Sequence, residues 1–128
     1  MKKHLLAMAA LATIIVANAT AAPTAAPVRA EIDGLLGKLQ TSGCQFNRNG
    51  SWYSGAEAKS HLLRKLEYFE DKSNVKTTEQ FIELAASKSS SSGKPYQVKC
   101  GNAAAVPSQQ WLSTELNAIR ASTAHGKP

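Results

Sequence analysis

Apolar residues recur at helical spacing in several segments of the chain. In the first segment, Ile32, Leu35, Leu36 and Leu39 fall at positions i, i+3, i+4 and i+7. This spacing places the four side chains on one face of a helix. We therefore predict a helix over residues 31–40.

Three further helices are predicted from the same periodicity together with helix-start signals. Ser54 and Glu57 have the S-x-x-E spacing of a capping box, so the longest helix is expected to begin after Ser54. Thr77 or Thr78 caps a shorter helix. Pro107 fits the first turn of the last helix, because its missing N–H costs nothing there.

Two segments alternate between apolar and polar residues, a pattern typical of strands with one buried face. They are residues 44–48 and residues 95–100. Asn49-Gly50 follows the first segment and predicts a two-residue hairpin turn, because both central residues of a type I′ turn need positive φ. Residues 51–53 are therefore predicted as the return strand of a hairpin.

The first 21 residues have the pattern of a secretory signal peptide. Lys2 and Lys3 precede an apolar run from Leu5 to Ala17, and Ala19-Thr20-Ala21 supplies small residues for cleavage near Ala21. The run is too short to span a bilayer, so we expect export to the periplasm and no membrane span. The predicted organisation is a signal peptide at 1–21, a flexible leader at 22–30, one globular domain at 31–122 and a frayed tail at 123–128.

The two cysteines lie at opposite ends of the predicted strands. Cys44 begins the first strand and Cys100 ends the last, and neighbouring antiparallel strands bring a start beside an end. An even cysteine count in an exported chain favours a disulfide; two buried thiols or a redox pair are the alternatives, although no Cys-x-x-Cys motif is present. We predict an α+β fold in which about four helices cover one face of a three-stranded antiparallel sheet, with the first strand central.

The positive charge of the chain is spread along its length. The sequence has 15 basic and 9 acidic residues, and loss of Lys2 and Lys3 with the signal peptide leaves a net charge of +4. A nucleic-acid-binding surface gathers its basic side chains on one face or tract, so we expect no nucleic-acid partner. The charge suits solubility, or attraction to an anionic wall polymer, a lipid head group or an acidic protein.

Few residues offer catalytic or metal-binding chemistry. Only His61 and His125 remain after the signal peptide, and a zinc site needs three or four clustered ligands, so we expect neither a metal nor another cofactor. Ser91-Ser92-Gly93-Lys94 ends like a phosphate-binding P-loop, but Lys88 stands where that motif requires its first Gly. His61 is either a packed residue that hydrogen-bonds the sheet or a general base beside a loop serine.

A polar segment at residues 87–93 carries five serines. It is either a flexible connector or a loop that offers hydroxyls, backbone N–H groups and positive charge to a sugar, carboxylate or phosphate. Arg48 in the predicted hairpin adds a bidentate donor, and Trp52-Tyr53 adds aromatic surface. The candidate binding residues are Arg48, Asn49, His61, Lys65, Ser89, Ser91, Ser92, Gly93, Lys94 and Tyr96; no residue is assigned as catalytic.

Several of these motifs together resemble the YfeK-like family, a group of small exported bacterial proteins of unknown function. The resemblance rests on Phe46-x-Arg48-Asn49-Gly50, on His61-Leu62-x-x-Lys65 and on residues 86–96, and it extends over residues 31–120. It implies export to the periplasm of a Gram-negative cell and implies no activity. We interpret the polar members of this set as a network in which Arg48 and Lys65 tie the serine segment to the hairpin and the long helix.

From these observations we expect a periplasmic binding or interaction module rather than an enzyme. Its partner would be an envelope protein or a cell-wall component, and its binding surface would be residues 89–96 with the Arg48 hairpin. Ser92-Gly93-Lys94-Pro95-Tyr96 is similar to the S-G-x-x-Y loop of bacterial lysozyme inhibitors, so inhibition of a cell-wall hydrolase is one alternative. The others are a small hydrolase that uses His61 with a loop serine, and a purely structural envelope protein.

Overall fold

The computed structural model describes residues 24–72 and 75–125, and all structural statements below concern these ranges. They form four helices and four strands, and the fold is of the α+β class. The elements are α1 (Ala26–Thr41), β1 (Gln45–Arg48), β2 (Ser51–Tyr53), α2 (Gly55–Asp71), α3 (Thr78–Ala85), β3 (Gln97–Lys99), β4 (Val106–Pro107) and α4 (Ser108–His125).

The strands form one antiparallel sheet with the order β2-β1-β3-β4. Strand β1 lies between β2, its partner in the hairpin, and β3, as predicted, and Phe46 pairs with Val98 in the β1–β3 register. The prediction of three strands is wrong, because β4 adds a fourth at the edge. This strand is only two residues long and includes Pro107, which the sequence predicts in the first turn of the last helix.

The hydrophobic core lies between the sheet and the helices. The four apolar residues that predicted α1 are all completely buried. From the sheet, Phe46 and Val98 point into the same core, while their neighbours Gln45 and Gln97 are exposed. The apolar side chains that recur at helical spacing and those that alternate along the strands therefore pack into one core, as the α+β prediction requires.

Two of the helices begin with capping boxes. The Ser54 hydroxyl accepts from the backbone N–H of Glu57, and the Glu57 carboxylate accepts from the backbone N–H of Ser54, as predicted. Thr77, rather than Thr78, caps α3. Gly55 follows the first cap where α2 meets the end of α1: a Cβ at this position would overlap the backbone carbonyl of Leu39. Only glycine therefore permits this close approach of the two helices.

The first helix begins earlier than predicted. It starts at Ala26, so residues 26–30 are helical and do not form a flexible leader. The Thr24 hydroxyl donates to the buried Glu70 carboxylate over 2.7 Å, and Arg29 pairs with the same carboxylate over 3.5 Å. Two local signals also extend the helix upstream: Pro27 lies in its first turn, and Val28, four residues before Ile32, packs against the core. The polar tertiary contacts, which such signals do not reveal, fix the start of the helix.

The last helix extends to His125, beyond the predicted start of the frayed tail at residue 123. The predicted signal peptide at 1–21, the first two residues of the predicted leader and residues 126–128 lie outside the described residues. Within the described ranges, no helix combines the length and the apolar character needed to cross a membrane.

A disulfide joins Cys44 and Cys100, as predicted, and closes a loop of 56 positions. The bond ties the residue before β1 to the residue after β3, at one end of the β1–β3 pair. It thus fastens the pair of strands that carries the sheet side of the core.

Replacement of both cysteines by Ala should lower the free energy of unfolding by about 4 kcal/mol at most, because a loop of this length constrains the unfolded chain. Urea denaturation of oxidised wild type, reduced wild type and the double variant measures the effect. Reduced wild type and the variant should share a lower midpoint than oxidised wild type. Equal midpoints for all three proteins would show that the disulfide contributes no stability.

Candidate functional site

The candidate site lies at the end of the β1–β3 pair opposite the disulfide. Because the two strands are antiparallel, Arg48 at the end of β1 lies beside Tyr96, which immediately precedes β3. Helix α2 places His61 and Lys65 one turn apart on the face that meets these residues. Three segments distant in sequence therefore meet at one point of the surface.

The serine segment is a hydrogen-bonded loop, which we call the serine loop (residues 87–96). The Tyr96 N–H donates to the Ser87 carbonyl and the Ser89 N–H donates to the Lys94 carbonyl, both over 2.9 Å. A turn closes its tip, where the Gly93 N–H donates to the Ser89 carbonyl and Gly93 has a φ of +73°. These cross-loop bonds define one backbone conformation, which a flexible connector would not have.

Asn49 connects the hairpin to the serine loop. Its side-chain amide donates to the Ser89 hydroxyl over 3.2 Å and its carbonyl oxygen accepts from the Ser92 hydroxyl over 2.5 Å. The Ser89 hydroxyl, which is buried, also bonds that of Ser91 over 3.0 Å. Asn49 has a φ of +52°, a value that Asn adopts more readily than most residues. One residue therefore shapes the turn and holds the loop.

His61 lies between Arg48 and Tyr96. Arg48 Nη1 is 3.0 Å from His61 Nδ1, and the Tyr96 hydroxyl is 3.1 Å from His61 Nε2. Arg48 Nη1 is also 3.4 Å from His61 Nε2, so the guanidinium lies against both ring nitrogens rather than in line with either lone pair. Burial, followed by the positive charges of Arg48, Lys65 and Arg64, lowers the pKa of His61 to about 4. His61 is therefore neutral at pH 7.

Lys65 ties α2 to the serine loop. Its ammonium donates to the Lys88 carbonyl over 2.9 Å and to the Tyr96 hydroxyl over 3.0 Å. Burial, followed by the charge of Arg48, lowers the pKa of Lys65 to about 8. Among the described residues, no carboxylate lies within 4 Å of the charged atoms of Arg48, Arg64 or Lys65. The site is thus a cluster of like charges.

Tyr96 is the buried centre of this cluster. Its ring packs against Phe46 with a centroid separation of 4.9 Å, and its side chain is almost completely buried. Burial raises the pKa of the Tyr96 hydroxyl, which therefore stays protonated. Tyr96 was predicted as part of a binding surface, but at this depth it positions other residues and presents only its hydroxyl.

Adjoining cavities open around His61. One of about 220 Å³ is bordered by the serine loop, Arg48, Lys65 and Tyr96, and one of about 280 Å³ lies beyond Lys65. A smaller one of about 90 Å³ lies below Arg48. A larger groove of about 660 Å³, between the ends of α1 and α4, contains none of the predicted site residues.

The structure brings most of the predicted residues together but leaves Ser92, Gly93 and Lys94 outside these cavities. All three are exposed, and Ser92 bonds Asn49 from this position. The predicted role of Lys65 in tying the serine loop agrees with its contacts, whereas Arg48 makes no hydrogen bond to that loop and Asn49 does so instead. The sequence predicted that a packed His61 would hydrogen-bond the sheet, and in the structure its ring contacts the side chain of Arg48 at the end of β1.

Sequence reasoning missed two residues that border the cavity beyond Lys65, namely Arg64 and Tyr68. Ser90 also borders this cavity and lies within the predicted binding surface of residues 89–96. Tyr68 is 59% exposed, one of two large exposed aromatic side chains among the described residues together with Trp52. Helical spacing could have predicted Tyr68, since it lies seven residues after His61 and thus on the same face of α2.

The described ranges contain no group of three His, Cys, Asp or Glu side chains placed to hold a metal ion. The chemistry present is that of donors: guanidinium, ammonium, hydroxyl and amide groups around a neutral histidine. Such a set can bind and orient a ligand rich in hydrogen-bond acceptors.

These features define a small α+β domain with a polar, cationic site at one end of its sheet. The chain belongs to DUF5329, a family of unknown function, which matches residues 26–120. A curated relative, the uncharacterised protein YfeK of Salmonella typhimurium, is 43% identical over 68 residues, which are 52% of this chain and 55% of the relative. The chain thus spans about half the length of that relative. No solved structure matches the chain.

Asn49→Gly should loosen the serine loop, because it removes both side-chain bonds to Ser89 and Ser92 and still permits the positive φ. We expect amide hydrogen exchange at Ser89 and Gly93 to accelerate about tenfold, the effect of losing about 1.4 kcal/mol of local stability. Asn47→Ala is the control, since the side chain of Asn47 accepts a hydrogen bond only from the Gly50 N–H of the same hairpin. Unchanged exchange in Asn49→Gly would show that Asn49 does not hold the loop.

His61 should make the protein less stable in mild acid. Its pKa is about 4 in the folded protein and about 6.5 when unfolded, so the unfolded chain binds the extra proton between these values. Stability is therefore full above pH 6.5 and falls as the pH drops towards 4. Urea titrations at pH 7 and pH 4.5 should show that acidification lowers the free energy of unfolding less in His61→Gln than in wild type. The contribution of the carboxylates is common to both proteins. Equal losses would contradict the assignment.

Proposed function

We propose that this protein is a non-catalytic binding module of the bacterial periplasm, with its binding surface formed by the serine loop and the Arg48 hairpin. The observation that carries the proposal is the convergence of Arg48, Lys65 and the loop hydroxyls on adjoining cavities without a carboxylate to neutralise them. Uncompensated, partly buried charges of one sign cost stability. A complementary ligand or partner would account for their presence.

The backbone of the serine loop supports a binding role. Its three cross-loop hydrogen bonds and the bridge through Asn49 fix the loop before any partner arrives. A preformed loop loses little conformational entropy on binding, which favours affinity. Ser90, Ser91 and Lys94 are exposed on this preformed surface and are available to a partner.

The electrostatics around His61 argue against a hydrolase. A histidine that acts as general base is oriented by a carboxylate, which stabilises the imidazolium that forms. Here Arg48 faces Nδ1 instead, and the surrounding charges oppose protonation of the ring. Within the described residues, no serine hydroxyl hydrogen-bonds to His61. These contacts favour a positioning role for His61.

The disulfide supports the proposed compartment. Disulfides persist in oxidising compartments such as the bacterial periplasm and are rare in the cytosol. The signal peptide predicted from residues 1–21 points the same way. A partner is therefore sought among envelope proteins and cell-wall components.

Inhibition of a cell-wall hydrolase is the second candidate. Ser92 and Lys94 of the inhibitor-like segment are exposed, and a hydroxyl together with an ammonium suits a cleft lined by carboxylates. Tyr96 of the same segment is buried and cannot enter such a cleft. The first candidate is therefore the better supported.

Photo-crosslinking in living cells tests the binding surface. A benzoylphenylalanine at position 91, at the exposed edge of the serine loop, should give a discrete adduct that mass spectrometry identifies. The same probe at exposed position 38 on α1 is the matched control and should give none.

A wall hydrolase in the adduct would select the second candidate, and another envelope protein would support the first. Equal adducts at positions 91 and 38 would show that the serine loop has no special role. The absence of an adduct at position 91 would exclude a macromolecular partner at this surface.

A further inference from the structure

The cavity beside the serine loop presents hydrogen-bond donors that no described acceptor uses. Arg48 has five N–H groups, and the acceptors found for it are the His61 ring and the Tyr53 hydroxyl. Lys65 has three N–H groups, of which two are taken by Lys88 and Tyr96. Donors of both side chains therefore remain available at a cavity of about 220 Å³ that both of them border.

The Tyr96 hydroxyl lies at the inner wall of the same cavity. Its oxygen accepts from the Lys65 ammonium over 3.0 Å and lies 3.1 Å from His61 Nε2. Tyr96 is 99% buried but borders the cavity, so these contacts hold the Lys65 ammonium at the cavity wall.

The one acidic side chain that borders these three cavities is already engaged. Glu57 borders the smaller cavity below Arg48, but its carboxylate accepts from the Ser54 backbone in the capping box of α2. The donors of Arg48 and Lys65 thus face a cavity that no carboxylate of the described residues neutralises.

We propose that this cavity binds an oxyanion, a carboxylate or a phosphate group, between Arg48 and Lys65. The proposal rests on the proposed binding function and names the ligand chemistry of the same site. Two cations match the charge and the several acceptor lone pairs of such a group. His61 is a positioning residue, since it lies between Arg48 and the Tyr96 hydroxyl that holds Lys65.

The neighbouring cavity indicates what the oxyanion is attached to. Tyr68 and Arg64 border the cavity of about 280 Å³ that shares His61, Lys65 and Ser90 with the oxyanion site. The exposed ring of Tyr68 offers a flat face to the remainder of the ligand, as aromatic rings do for sugars and other planar groups. The oxyanion site itself holds only the charged group.

Titration of the purified protein with sodium acetate and with sodium phosphate, at constant ionic strength set with sodium chloride, tests the proposal by amide NMR. The amides of Ser89–Ser91 and Arg48 should shift with at least one oxyanion and not with chloride. Shifts with acetate alone identify a carboxylate ligand, shifts with phosphate alone a phosphate ligand, and both outcomes support the site. The absence of shifts with either salt overturns it.

Three variants separate a built site from general charge attraction. Lys65→Met should weaken oxyanion affinity by about tenfold, the effect of one charge-assisted hydrogen bond, and Arg48→Lys should weaken it through loss of bidentate geometry. Lys59→Met is the matched control, since it removes one charge from the same helix away from the cavities and should change affinity less than twofold. Equal effects of Lys65→Met and Lys59→Met would overturn the proposal.

The pH dependence of acetate binding is an independent readout. The groups that face Lys65 are Arg48 from β1, His61 and Arg64 from α2, and Tyr96 before β3. Because the pKa of Lys65 is about 8, affinity in wild type should fall between pH 7 and pH 9.5 as the ammonium deprotonates. Lys65→Met should lose this dependence; an unchanged dependence in the variant would exclude Lys65 as a ligand.

The crosslinking experiment distinguishes failure of this proposal from failure of the binding function. An adduct at position 91 without oxyanion binding would overturn the oxyanion site and leave the binding module intact. Oxyanion binding without an adduct would support the site and restrict its ligand to a small molecule or a glycan.

Discussion

The antiparallel pairing of β1 with β3 is the contact on which the fold and the site both depend. The strands are 4 and 3 residues long and nearly 50 positions apart in sequence, yet their register places Phe46 opposite Val98 in the core. At one end of the pair, the disulfide joins the flanking cysteines. At the other end, the same register brings the hairpin beside Tyr96 and the serine loop. A slip of one residue would turn Phe46 to solvent and separate the site residues.

A cluster of positive charges without a carboxylate partner distinguishes this site. Arg48, Arg64 and Lys65 lie around one histidine without a neutralising carboxylate, and the fold accommodates them by keeping His61 neutral and lowering the pKa of Lys65. Elsewhere in the described ranges Arg29, Lys38 and Arg120 pair with carboxylates. Lys65 differs from the exposed lysines because it is partly buried, and its ammonium contacts other polar groups of the site instead of a carboxylate.

Burial assigns different tasks to residues that look alike in the sequence. Ser89 is buried and holds Asn49, whereas Ser90 and Ser91 border the cavity from its exposed side. Tyr96 is the buried hub of the hydrogen bonds, whereas Tyr68 is open to a ligand. The serine loop is thus partly architecture and partly binding surface, and substitution of its members should be read with that division in mind.

The sequence by itself determined the elements whose signals are local. Apolar spacing gave α1 its buried stripe, the S-x-x-E pattern gave α2 its cap, and Asn49-Gly50 gave the hairpin its turn. The cysteine positions also predicted the β1–β3 neighbourhood, because a disulfide requires proximity. The family resemblance pointed to most of the residues that meet at the site.

Only the tertiary structure decided the features that rest on contacts between distant segments. Helix α1 extends back to Ala26 through contacts with Glu70, and β4 exists because two residues pair with β3. The position of His61 between Arg48 and Tyr96 and the bridge through Asn49 depend on distances that no local pattern encodes. Periodicity reports which face of an element is buried, but which polar group it meets there depends on packing.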